Sequence, residues 1–348
     1  MTERDYYFDN VKLLLIILVV VGHIIIPLNS GVTFKPLFTL IYSFHMPLFI
    51  FISGYFSKNI GSDNYGKRII ANLLIPYLIF ETLYSLFDYY LITDNQEKLT
   101  FTYLTPYWIM WFLVSMICWK LVLPYTAKIK PWISLTLTII AGIAIGYAGD
   151  VAYYGSISRT IAFFPFFISG FYFDKKWLLK FSHWVYKFIS IAILIVAFIV
   201  FYQLQNVIKF EFFYHVIPYA SFDLHGWRGG IYRLFSYLVA VILGLCVLVL
   251  VPKERIPFLS GLGKNTLYAY LLHGFIVKYL HTSTLYSQLD GSLDKFLVVM
   301  LGCLIAVVLS TNIIRSIFKW VAEPKIDFLF KDNVPRDRIE EKKNTVST

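Results

Sequence analysis

The stretch VKLLLIILVVVGHIIIP, residues 11–27, is hydrocarbon nearly throughout, with one cation, Lys12, at its start and one imidazole, His23, further in. A helix rises about 1.5 Å per residue, so His23 lies roughly 16 Å beyond Lys12, near the middle of a hydrocarbon layer about 30 Å thick. An ionisable side chain at that depth is costly unless it faces protein or a watered cavity, which makes it a functional-site candidate by default. Acidic Glu3, Asp5 and Asp9 precede the run and no small-residue cleavage site follows it. It therefore reads as a retained span rather than a signal peptide.

The rest of the chain repeats that composition. Of 348 residues, 58% are hydrophobic, 19% aromatic and only 15% charged, and the mean hydropathy is +0.66. Stretches long enough to cross a bilayer fall near 11–29, 36–56, 69–92, 106–124, 132–149, 158–173, 184–204, 231–251, 266–281 and 296–318. The fold class expected is all-α: a polytopic transmembrane helical bundle of about ten spans. The sixth and ninth stretches are short and aromatic-rich, so the count falls by one or two if either is re-entrant. Residues 1–330 form the membrane-embedded domain, and 331–348 read as a polar, charge-mixed cytoplasmic tail.

A formal net charge of +10 invites a nucleic-acid reading, but the distribution of the cations argues against one. Lys58, Lys67 and Arg68 follow the second span, Lys128 and Lys130 the fourth, Lys175, Lys176 and Lys180 the sixth, and Lys253, Arg255 and Lys264 the eighth. Alternate loops enriched in Lys and Arg are cytoplasmic by the positive-inside rule. Arg4 and the basic C-terminal tail fall on the same side, so both termini are expected in the cytoplasm and the span count is even. Cys118, Cys246 and Cys303 lie in apolar stretches without metal or redox spacing and read as small hydrophobes; no metal site is expected.

Counting helical rise from each interface locates the other buried polar groups. His45 in the second stretch lies roughly 15 Å in, Glu81 in the third roughly 20 Å, and His273 in the ninth roughly 14 Å. With His23, four titratable side chains from four spans share one layer. A single mid-span histidine also serves as a helix-to-helix hydrogen bond, and Glu81 as a partner for one of the imidazoles. A carboxylate that orients an imidazole is equally what a general base requires. Other features lean structural. The GxxxG at Gly142 and Gly146 suggests a close helix contact. Trp108, Trp111, Trp119, Trp132, Trp177 and Trp184 sit near span ends, as an interfacial belt does. Pro47, two residues after His45, is expected to break the second helix beside that histidine.

Several motifs carry a family resemblance. RDYYFDNVKLLLIILVVVGH (Arg4–His23), with ten residues between Lys12 and His23, is followed by FHMPLFIFISGYF (Phe44–Phe56). Then come KRIIANLLIPY (Lys67–Tyr77), WFL (Trp111–Leu113), RTIAFFPFFISGF (Arg159–Phe171) and GKNTLYAYLLHGF (Gly263–Phe275). Together, over residues 4–281, they resemble the acyltransferase 3 family of integral membrane acyltransferases, particularly its fucose 4-O-acetylase-like branch. The first two motifs carry the specificity. The family pattern usually has arginine where this chain has Lys12, which keeps the charge and loses the bidentate fork.

That resemblance implies an O-acyltransferase of the cell membrane that takes acetyl from acetyl-CoA, or another short acyl-CoA, as donor substrate. It implies no tightly bound cofactor, and an acceptor hydroxyl on a cell-envelope or lipid-linked glycan. Carried onto this chain, His23 is the catalytic base or a transient acyl-handling group; Glu81, His45 and His273, placed at its level by helical rise, are further catalytic candidates. An imidazole suits removal of a hydroxyl proton near neutral pH. Lys12, Lys67 and Arg68 are candidates to hold donor phosphates. Ser53, Tyr270 and Asn265 are candidate oxyanion or substrate contacts. Arg159, a cation at the outer end of the sixth span, is a candidate contact for the acceptor or for an acidic partner, and the aromatic segment 205–230 (Tyr214, His215, His225, Trp227) offers rings that stack on sugars or, equally, anchor the chain at the interface. The rival reading is a proton-coupled transporter or flippase of a polar envelope precursor, in which the buried His and Glu relay protons. Transporters often carry internal repeats, and none is evident between the halves.

Overall fold

A computed structural model describes residues 5–28, 34–62, 64–93, 99–149, 154–289 and 291–330. Arg4 and the tail expected at 331–348 lie outside the described residues. The described residues are helical, with no strand among them. The main helices are α1 (Tyr6–Ile24), α2 (Phe34–Tyr55), α3 (Tyr65–Ile92), α4 (Trp108–Thr126), α5 (Pro131–Tyr147) and α6 (Ile157–Tyr172). They continue with α7 (Trp184–Gln203), α8 (Arg228–Leu250), α9 (Thr266–Thr282), α10 (Ser292–Leu309) and the short α11 (Asn312–Ala322).

Seven of these, α1 to α4, α7, α8 and α10, are long and apolar enough to cross a membrane. α5 is a shorter apolar helix, and α6 and α9 have 16 and 17 residues. Helix α10 ends at Leu309, so the tenth apolar stretch is not one helix to residue 318. Ser310 turns its hydroxyl back onto the Ala306 carbonyl at 2.8 Å, and Thr311 caps the new helix by accepting from the Ile314 amide.

Burial separates centre from periphery. The most apolar window of α1 is 72% buried against other helices, that of α7 only 11%. A helix that is hydrocarbon all round and unburied faces lipid, whereas α1 spends its apolar surface on protein. Helix α2 packs on α1, α6, α7 and α8, and α1 on α2, α9 and α10. His23 and His45 therefore ride on the two most enclosed helices.

Backbones of α2 and α6 approach closely where the sequence FISG occurs on both, at Phe51–Gly54 and Phe167–Gly170. Gly54 lies against the carbonyl of Phe167, and Gly170 against the carbonyl of Phe51, so closely that a Cβ on either would overlap backbone. Small residues let the two backbones meet, which is how membrane helices gain packing energy without a hydrophobic drive. The GxxxG of α5 works differently: Gly142 receives the Tyr237 hydroxyl and Gly146 the Tyr219 ring. Its glycines make room for tyrosines rather than for another backbone.

Two further expectations are corrected. Helix α2 runs unbroken through Pro47; the missing N–H costs one ladder bond, and packing on four neighbours holds the helix. Of the six tryptophans, Trp132, Trp177 and Trp184 are exposed as belt residues are, but Trp119 is buried and Trp108 and Trp111 line an internal cavity.

Candidate active site

His23 and His273 are in direct contact. His23 Nδ1 lies 3.0 Å from His273 Nε2, with the rings nearly parallel at 5.2 Å between centroids. The protons on this pair follow from what surrounds it. His273 Nδ1 lies 2.8 Å from the Ala269 carbonyl, and a carbonyl only accepts, so Nδ1 carries the hydrogen. In the neutral ring Nε2 then holds a lone pair, and His23 Nδ1–H donates to it. The lone pair of His23 is thereby assigned to Nε2. The backbone of the same residue is tied as well, since His281 Nε2 donates to the His23 carbonyl at 3.1 Å. Tyr286 donates to the adjacent Ile24 carbonyl at 2.7 Å. Carbonyls at the end of a helix need such partners, and here α9 and the segment after it supply them.

His23 opens onto a cavity of about 320 Å³, lined also by Tyr42, His45, Trp108, Trp111, Arg159 and Tyr214. His45 donates from Nδ1 to the Ile41 carbonyl at 2.7 Å, which by the same logic leaves its Nε2 as an acceptor. Tyr42 joins the two, with its ring 4.7 Å from His45 and 6.3 Å from His23. Gly22 makes this possible, since a Cβ there would come within 3.1 Å of the Tyr42 ring. Arg159 donates from Nε to the Tyr214 carbonyl at 3.3 Å and lays its guanidinium 5.0 Å from the Trp111 ring. Among the described residues, no carboxylate lines this cavity.

Glu81 is buried, but it is spent elsewhere. Both of its carboxylate oxygens accept from the Tyr107 amide, at 2.9 and 3.0 Å. The next residue, Trp108, has φ of +31°, a conformation that bulky L side chains avoid. Glu81 thus anchors a strained turn whose product is the Trp108 ring, 4.7 Å from His23, with the Lys278 ammonium 5.5 Å from the same ring. Of the four mid-depth groups, His23 and His45 line the cavity, His273 stands behind His23, and Glu81 holds the turn that forms its wall.

A second cavity of about 310 Å³ lies toward the other end of the same helices, lined by Lys12, Ser53, Ser57, Met116 and Lys120 among others. Lys12 pairs with Asp9 at 2.9 Å and reaches over the Phe56 ring. Lys67 stands on the first turn of α3 over the Phe330 ring and Arg68 is exposed beside it; neither lines this cavity. Ser53 lines it, with its hydroxyl donating to the Phe49 carbonyl. Tyr270 lines the His23 cavity and donates to the Ile109 carbonyl. Asn265 is remote from both, where its amide ties α9 to Ser310 and Asn312. Sequence reading missed Tyr42, Trp108, His281 and Lys120. Lys120 carried a usable signal, as a cation set back within the fourth apolar stretch; the other three become visible only when the helices are docked.

The family model described as an acyltransferase domain matches residues 5–315. Among curated proteins, the nodulation protein NolL of Mesorhizobium japonicum is 30% identical over 213 residues, covering 56% of this chain and 55% of that protein. NolL of Sinorhizobium fredii is 32% identical over 210 residues, covering 52% of this chain and 55% of that protein. The matched region thus spans little more than half the length of these relatives. No solved structure matches. By a family match that takes in both cavities and the helices that build them, the chain belongs to the acyltransferase 3 family.

Proposed function

We propose that this chain is a multi-pass O-acyltransferase of the cell membrane, with both termini in the cytoplasm, that moves acetyl from cytoplasmic acetyl-CoA to a hydroxyl of a cell-envelope or lipid-linked glycan. The observation that carries the reading is the His23–His273 pair, whose hydrogen bonds leave an imidazole lone pair on the residue that opens to the cavity.

The chemistry follows from that lone pair. His23 Nε2 takes the proton of the acceptor hydroxyl as its oxygen attacks the thioester carbonyl, forming the new C–O bond. The tetrahedral intermediate collapses with cleavage of the C–S bond, and the departing CoA thiolate takes the proton back from His23. His273 disperses the charge of the transient imidazolium and holds the ring in register, the part a carboxylate plays in a hydrolytic triad. Arg159, with the aromatic rings of Trp111 and Tyr214, supports recognition of the acceptor oxygens from the outer end. Lys12 and Lys120 support the donor phosphates at the inner end, where a lysine acts as a point charge rather than a fork.

The test is acyl transfer by the purified chain in lipid nanodiscs, with labelled acetyl-CoA and a panel of methyl glycosides, read by mass spectrometry. Acetyl esters that appear with the native chain and fall by about 10²- to 10⁴-fold in His23→Ala are expected. Full activity in a correctly inserted His23→Ala protein would overturn the assignment.

A further inference from the structure

The two cavities are not independent. Helices α1, α2 and α4 each line both of them, with Leu15 below and Ile16 above on α1, and Met116 below and Phe112 above on α4. They lie end to end along one three-helix seam. Among the described residues, one belongs to both linings: Phe49. It stands one turn from His45 on the unbroken α2, about 6 Å along the axis, and its ring meets Phe112 edge-to-face at 5.6 Å. Although it lies in the middle of one of the most enclosed helices, Phe49 keeps part of its surface open, as a ring with space on both sides does.

We propose that the Phe49 ring is the partition between the inner, lysine-lined cavity and the outer, histidine-lined one, and that its size sets the length of the acyl group able to reach His23. The inference rests on the acyl-transfer reading above and adds the determinant of donor choice. The inner cavity offers cations and hydroxyls, Lys12, Lys120, Ser53 and Ser57, suited to the polar body of a CoA thioester. The reacting imidazole lies beyond Phe49. A thioester carbonyl therefore has to be presented past that ring, and each added methylene of the acyl group competes with it for the same volume. In an apolar pocket one methylene is commonly worth about 10- to 200-fold in kcat/KM. The bonds made and broken are those of the transfer itself; Phe49 changes only which acyl group is admitted.

Two measurements on the full chain in a background without native cysteines separate the parts of this proposal. The first is independent of activity. Met46 lines the outer cavity only. In inside-out vesicles, a membrane-impermeant methanethiosulfonate reagent added from the cytoplasmic face is expected to spare Met46→Cys while Phe49 is present. It is expected to label that cysteine when Phe49→Ala is added. Equal labelling in both removes the partition. The second is the ratio of kcat/KM for butyryl-CoA to that for acetyl-CoA, with the glycoside panel as acceptor. Phe49→Ala should raise it about tenfold or more, Phe49→Leu by less, and Phe49→Trp should lower it. Transfer that proceeds with an unchanged ratio overturns the role of Phe49 and leaves the acyltransferase reading standing. Absence of transfer from every donor by the native chain overturns that reading and the acyl-selection role with it, while the labelling experiment still decides the partition.

Discussion

A histidine buried among hydrocarbon can be a base only if something fixes which nitrogen holds its proton. Here the determinant is the Ala269 carbonyl, two imidazoles away from the cavity. It fixes the tautomer of His273, which fixes that of His23. His273 is on this view a positioning residue, and its loss should be separable from loss of the base. His273→Leu is expected to lower kcat with little change in the KM for acetyl-CoA, because the proposed donor contacts lie in the other cavity. His273→Gln, which still presents an acceptor to His23 Nδ1–H, should recover part of that loss. Equal damage by both variants, measured as kcat against KM in nanodiscs, would argue that His273 only fills space. His45 repeats the same backbone hydrogen bond one helix over, so its acceptor nitrogen is set by the same device.

At the scale of elements, Glu81 and the glycine pair show how polar and packing requirements place the site. Glu81 satisfies the Tyr107 amide immediately before Trp108 adopts positive φ. Strain of this kind costs on the order of 1–3 kcal/mol and persists only where neighbours over-determine it. Glu81→Leu should therefore destabilise the protein by about 1–3 kcal/mol, the cost of a buried unpaired N–H, and shift tryptophan fluorescence. Glu81→Gln keeps a carbonyl acceptor for Tyr107 and is expected to be mild in both stability and rate. If Glu81 were itself the base, Gln and Leu would be equally inactive, so the pair of variants decides between the roles. The α2–α6 contact makes a second demand. Gly54→Ala or Gly170→Ala forces a Cβ into backbone and should cost about 1–3 kcal/mol, read as a lower unfolding temperature in detergent. Gly61→Ala, which meets open space, serves as the neutral control. The two damaging changes should be non-additive, since either alone separates the same pair of helices.

Over the whole molecule, what could be read in the sequence was what depends on depth and composition. Helical rise alone put His23, His45 and His273 at one level, because distance along a helix is fixed by its geometry. Azimuth is not, and Glu81, at similar depth, turns its carboxylate onto Tyr107 instead of the cavity. For the same reason Trp108 looked like a belt residue until α9 was docked beside it. The same depth reasoning bears on the sidedness of the reaction. Lys12 and Lys120 lie at one end of the α1–α2–α4 seam and Arg159 and Tyr214 at the other. The ends differ in chemistry as the proposed cytoplasmic donor and external acceptor would require. In proteoliposomes sorted by orientation, labelled acetyl-CoA supplied on the side of Lys12 should yield acetyl ester on glycosides confined to the side of Arg159. Donor placed with the acceptor on the Arg159 side should give none, because the thioester would meet Phe49 from the wrong cavity and leave its phosphates without the two lysines. Equal product from both placements, in vesicles shown to be sealed, would mean that donor and acceptor share one entrance and that the two cavities do not divide the substrates between them.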